Sequence, residues 1–143
     1  DVIKLVSQPN SPAVCNLAER SLLSRAEHYQ PAKAEELVEL CKYLKTNRTV
    51  RRLDLSKNVL AKEGGGVLSA HLAAFTPVLE HLDLSSNEFF GDGAEHLLSA
   101  VDTSARAGRY KPKSLDMRFN CIPVDVKQAF RDWGNAQEVD MYI

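Results

Sequence analysis

Aspartate recurs in one local setting. Leu53-Asp54-Leu55-Ser56 and Leu82-Asp83-Leu84-Ser85 are the same tetrapeptide, and Leu115-Asp116-Met117-Arg118 is a near copy. Stacked carboxylates can do acid–base work or hold a cation, provided a pocket excludes water and moves their pKa. Apolar residues on both sides of each aspartate predict strands instead, with the aspartates on an open face. Neighbouring strands lie about 4.8 Å apart, so Asp54, Asp83, Asp116 and a further Asp140 form a ladder of like charge. Arg52, His81, Ser114 and Glu138 make a second column, and Ser56, Ser85, Arg118 and Tyr142 a third. One reading is an acidic stripe, flanked by Arg52 and Arg118, that meets a basic or mixed partner. The other is that each aspartate bonds its serine and arginine neighbours.

Two other clusters could bind. Phe89 and Phe90 are adjacent in Asn87-Glu88-Phe89-Phe90-Gly91-Asp92-Gly93. Phe89 takes a buried register position and Phe90 has none. Phe90 is either an exposed anchor, the residue type that dominates binding, or packs beneath the next loop. Arg106, Arg109, Tyr110, Lys111 and Lys113 form a basic group with an aromatic, suited to phosphate or an acidic surface. The alternative is a solvated loop. Four positive charges are too local for a nucleic-acid footprint.

The remaining chemistry-bearing residues lack the required spacing. His28, His71, His81 and His96 form no HxxxH or HExxH pair, so no metal site is expected. Gly64-Gly65-Gly66 lacks the GK[ST] ending of a phosphate cradle. Nothing marks a nucleophile elbow. The expectation is no enzyme, no catalytic residue, no cofactor and no small-molecule substrate.

The elements that position these residues come from an internal repeat. Val50–Leu72 and Leu79–Val101 superpose at a constant offset of 29 residues, matching Leu53/Leu82, Leu55/Leu84, Asn58/Asn87, Leu60/Phe89, Gly64/Gly93 and Leu68/Leu97. A third copy places Leu115, Met117, Asn120 and Ile122 at the same positions, its asparagine 33 residues after Asn87. Four residues are therefore inserted, and they are expected in a loop over Thr103–Lys113, where repeat proteins carry insertions. Asn58, Asn87 and Asn120 are expected to turn the chain out of each strand and bond main-chain groups that the ladder leaves free. Gly64 and Gly93 should begin helices where the chain crowds its neighbour. In the third copy Val126 replaces the glycine.

Flanking segments read less regularly. Val2–Val6 is a candidate first strand, and Ser11-Pro12 a helix start before Val14, Leu17 and Ala18. Arg20–Ser24 is a second candidate strand. Pro31–Lys45 is the clearest helix, with Leu37, Leu40, Cys41 and Leu44 at helical spacing. Asn47-Arg48-Thr49 ends it, a glycosylation sequon read as a turn. Thr76-Pro77 breaks the helix after Gly64. Val124–Trp133 is a helix stopped by Gly134. Val139, Met141 and Ile143 alternate in a last strand.

The LxxLxLxxNxLxxxGxxxLxxxL pattern resembles leucine-rich repeats of the ribonuclease-inhibitor type. LVELCKYLKTNRTVRRLDLS also resembles the tropomodulin and leiomodin branch of that class. The resemblance covers Ala34 to Ile122 most strongly. It implies an α/β right-handed solenoid, with a parallel sheet of about five strands on the concave face and helices on the convex face. One domain is expected over 1–143, with a degenerate cap (1–33), regular repeats (34–122) and a C-terminal cap (123–143). The implied function is protein binding, with actin or another cytoskeletal filament as partner in the tropomodulin-like case. The alternative is a structural subunit of a large ciliary, ribosomal or organellar assembly.

Composition agrees with such a domain. Of 143 residues, 44% are hydrophobic, and the net charge of −1 makes no field that would recruit nucleic acid or an anionic membrane. The segment DVIKLVSQPN has no basic run followed by an apolar core, so no signal peptide is expected. Cys15, Cys41 and Cys121 are odd in number and unpaired in spacing, which predicts reduced, buried thiols and a cytoplasmic location, cytoskeletal or ciliary in the two partner readings.

Overall fold

The computed structural model describes residues 14–16 and 35–143. Its elements run β1 (Val14–Asn16), α1 (Glu35–Leu44), β2 (Arg52–Asp54), α2 (Ala61–His71) with a 3-10 turn at Leu72–Ala74, β3 (His81–Asp83), α3 (Phe90–Arg106), β4 (Ser114–Asp116), α4 (Val124–Gln137) and β5 (Asp140–Tyr142). The five strands form one sheet in chain order, and every pairing is parallel. Among the described residues this is the α/β arrangement expected.

The 29-residue offset becomes the register itself. Arg52 faces His81, Leu53 faces Leu82 and Asp54 faces Asp83. The 33-residue offset gives His81 opposite Ser114 and Asp83 opposite Asp116. Side chains alternate across a strand. Leu53, Leu82 and Leu115 therefore turn inward, where they join Leu55, Leu84 and Met117 in one core with Leu40, Leu68, Leu97 and Phe130 of the helices. At about 25 cal/mol per Å² of apolar surface, each such leucine contributes about 2 kcal/mol before entropy. Leu60 and Phe89 fill equivalent sites, both wholly buried.

Below the strands lies a layer of asparagines. Asn87 Nδ2 donates to Leu55 O and Leu84 O, both at 3.0 Å, and its Oδ1 accepts from Asn58 N at 2.9 Å. Asn120 repeats the pattern, donating to Leu84 O at 3.0 Å and Met117 O at 2.9 Å and accepting from Asn87 N at 2.7 Å. Each amide thus satisfies main-chain groups of its own copy and the preceding one. The bonding requires the flanking residues to turn left-handed: φ is 58°, 56° and 60° at Lys57, Ser86 and Phe119, and 52°, 58° and 53° at Val59, Glu88 and Cys121.

Several expectations need correcting. Val14–Asn16 is strand, not helix: it pairs with β2, Val14 opposite Arg52. Three apolar positions cannot separate the two periods, and pairing with a sheet edge decided it. Val2–Val6 and Arg20–Ser24 lie outside the described residues. The helices start three residues before Gly64 and Gly93, at Ala61 and Phe90. The crowding is real, but one turn in. A Cβ on Gly65 would lie 3.3 Å from Gly93 O, and one on Gly93 3.5 Å from Lys62 Cα.

The inserted residues are largely helix, since α3 continues to Arg106. Gly134 does not stop α4, which ends at Gln137 with Glu138 left-handed at φ 57°. Gly134 is there because a Cβ would meet Val139 O at 2.9 Å and press on Met141 Cγ. The last register is shifted by two residues: Asp140 faces Ser114 and Tyr142 faces Asp116. Cys41 is buried, and burial pushes its thiol pKa up to about 12, whereas Cys121 is exposed, against expectation. Asn47 forms the expected turn, its Oδ1 accepting from Thr49 N at 2.9 Å and Val50 N at 2.7 Å.

Candidate interaction face

The sheet face turned away from the helices is an open groove of about 380 Å³. Because β5 joins two residues out of the expected register, its rows are Arg52, His81, Ser114 and Asp140, then Asp54, Asp83, Asp116 and Tyr142. Glu138 is drawn off into the cap of α4 and belongs to no row. The acidic ladder therefore has three steps and ends on an aromatic.

Each aspartate has a structural duty. Asp54 Oδ1 accepts from Ser56 N at 2.8 Å, Asp83 Oδ1 from Ser85 N at 2.9 Å, and Asp116 Oδ1 from Arg118 N at 3.0 Å. These bonds close the strand into its turn. They occupy one oxygen and leave the charge in place. Only Asp116 is also ion-paired: Arg118 Nη2 lies 2.7 Å from its Oδ2. That hydrogen bond, then the Asp116 charge and the nearby Asp83, push the Arg118 pKa up. The guanidinium also stands 5.5 Å from the Tyr142 ring centre, a cation–π arrangement. Among the described residues, Asp54, Asp83 and Arg52 make no ion pair.

A charge relay not anticipated from the sequence borders this face. Glu80 takes Arg51 Nη1 at 2.8 Å and Lys113 Nζ at 3.2 Å, spanning three successive copies. The Lys113 hydrogen bond, opposed by desolvation and aided by the Lys113 and Arg51 charges, holds the Glu80 carboxyl below its ordinary pKa. The signal was present in the repeat register, in which Arg51, Glu80 and Lys113 share a position. Their alternating sign identifies them.

The structure also brings His81 Nδ1 to 2.6 Å from Ser114 Oγ. A hydroxyl beside an imidazole is half of a nucleophilic constellation. The third partner is not in place, since Glu80 Oε2 lies 3.9 Å from His81 Nε2 and is already engaged by Lys113. The pair reads as a cross-strand bond. Among the described residues no group of three His, Cys, Asp or Glu could hold a metal ion.

The other predicted site residues separate. Phe90 opens α3 with its side chain half exposed and φ at 54°. Arg109 is exposed in the loop after α3. Tyr110 is not part of a surface cluster. It is buried, with its OH donating to Leu79 O at 2.8 Å and its ring meeting Phe75 edge-on at 5.5 Å. Its polar neighbours disguised it, and burial pushes its phenol pKa up. The groove, Phe90 and Arg109 thus stand as three separate surface features.

Residues 46–69 and 77–98 match the family model described as Leucine Rich repeat. No curated protein matches the chain.

Proposed function

We propose that this chain, whose two regular copies are leucine-rich repeats, binds another protein on the outer face of its sheet. One observation carries this reading. Among the described residues, Asp54, Asp83 and Arg52 make no ion pair on a row-ordered open face, although Asp116 of the same ladder is paired. Leucine-rich repeats are typically non-catalytic interaction modules, and an open groove without a water-excluding wall suits a protein surface better than a small substrate. The right-handed solenoid and the ribonuclease-inhibitor type are the expectations that accompany this proposal. The test is affinity capture with the wild-type chain and with Asp83→Arg. Charge reversal at the middle of the ladder is expected to remove the captured partner at least tenfold, while an unchanged partner set defeats the assignment of this face.

The tropomodulin-like motif at Leu37–Ser56 makes filamentous actin the first partner to try. Co-sedimentation at micromolar concentration decides it, and absence of the chain from the pellet ends the cytoskeletal reading.

A second reading, a subunit held in a larger assembly, is favoured by a different observation. Phe119 is 79% and Val124 81% exposed, on the same strand-to-helix edge as Phe90. Large apolar side chains so placed are commonly covered by a partner.

A further inference from the structure

We propose that the groove between α3 and α4, on the helix side of the molecule, takes a lysine- or arginine-bearing segment of a partner protein. The two helices meet at their first turns, where a Cβ on Gly91 would lie 3.3 Å from Pro123 Cγ. Further along, a cleft of about 460 Å³ opens between them. Leu98, Trp133 and Ala136 give it an apolar lining, and Glu95, Asp102 and Asp132 stand around it.

The charges do not cancel. Arg106 Nε lies 2.9 Å from Asp102 Oδ1 and neutralises that carboxylate. Asp132 Oδ1 accepts only an uncharged amide hydrogen, from Gln128 Nε2 at 2.9 Å. Glu95 is exposed and has no ion pair among the described residues. Two negative charges therefore border an apolar trough.

An independent observation lies in its wall. Trp133 is only 7% exposed, and its buried Nε1–H has no acceptor among the described residues. Leaving such a donor unpaired is unfavourable, and buried indole N–H groups normally find a partner. A basic residue in peptide linkage meets both needs. The indole N–H, covered as it stands, turns toward the cleft on binding and donates to the segment's main-chain carbonyl, while the aliphatic stem lies along Leu98 and the ring and the cation reaches Glu95 and Asp132. A second copy of this chain would bring two acidic rims together in a twofold pair, so it fits less well.

The chain's single tryptophan makes the test local. The probe is a capped twelve-residue peptide of leucine and lysine, titrated against the full chain while the indole N–H resonance is followed. The expected result is a saturable shift of that resonance, absent with the same peptide carrying glutamate for lysine. The double variant Glu95→Gln/Asp132→Asn should bind about tenfold more weakly, at up to about 1 kcal/mol per exposed pair. Trp133→Phe keeps the packing and loses the donor, and should weaken binding of a labelled peptide about fivefold. Arg52→Glu on the sheet face should change nothing, which separates this site from the one proposed above. The proposal is overturned by no shift at millimolar peptide, by equal response to the glutamate peptide, or by undiminished binding to the double variant. It is also overturned if dilution alone moves the resonance, because a second copy is then the occupant. Saturation by butylamine alone counts against it too, because the site then recognises a simple amine.

Discussion

The two regular copies, 50–72 and 79–101, and the third, from Ser114 to Gln137, share one half of their structure and differ in the other. Strand register and asparagine layer are the same in all three. The turn into the helix is not. Ala61 and Phe90 enter their helices left-handed, at φ 55° and 54°, whereas the third copy has Pro123 at φ −58° in that place. A proline ring cannot take positive φ. α2 meets α3 glycine on glycine, at Gly65 and Gly93, whereas α3 meets α4 through Gly91 and Pro123, and a cleft opens further along. The lesson concerns tolerance. The strand half is set by directional hydrogen bonds that each copy shares with its neighbour. The helix half is set by packing, which many side chains can satisfy.

The largest effects should fall on the shared half and be alike in both kinds of copy. Asn87→Ala takes the acceptor from Asn58 N and one of two side-chain donors from each of Leu55 O and Leu84 O, and Asn120→Ala takes the acceptor from Asn87 N, the side-chain donor from Met117 O and one of two from Leu84 O. Each should cost about 3–4 kcal/mol in chemical denaturation. A loss at Asn120 below half of that at Asn87 would break the equivalence. The differing half should answer unequally. Gly134→Ala drives a Cβ into Val139 O and Met141, and should cost about 2–3 kcal/mol. Gly66→Ala, with nothing within 4 Å of its Cβ, should instead add up to about 1 kcal/mol of stability and so raise the melting temperature. The smallest effect is expected at Phe119, left-handed and exposed: Phe119→Gly should add about 0.5–1 kcal/mol by relieving the backbone. A loss of stability there would mean that the ring packs after all.

Much of the shared half could be read from sequence because the repeat carries it. An offset of 29 residues at six matched positions leaves one possible pairing of β2 with β3. The β5 register was not legible for a related reason. Glu138, Asp140 and Tyr142 share a face, so a slip of two residues preserves the alternation that the eye follows, and only the cap at Glu138 breaks the tie. Tyr110 was misplaced because its lysine and arginine neighbours are exposed, while its own hydroxyl reaches back 31 residues to Leu79. The aspartate rows were foreseen, and so were bonds to the neighbouring serines and arginine; that the donors are main-chain N–H groups two places on depends on turn geometry. Trp133 lies in the core with Val126 and Phe130. That its indole N–H would find no acceptor depends on how α3 and α4 diverge, and no pattern of letters encodes that.

The order of strands in the sheet follows the order in the chain. Every strand is held by its immediate predecessor and successor, so stability is transmitted as in a row of coupled spins rather than across a closed shell. Such a molecule can nucleate at Val50–Val101, where the copies agree best, and grow outward by short loop closures. Under tension it would give way from an end and peel, one copy at a time, with the asparagine bonds of each copy surviving until its neighbour is gone.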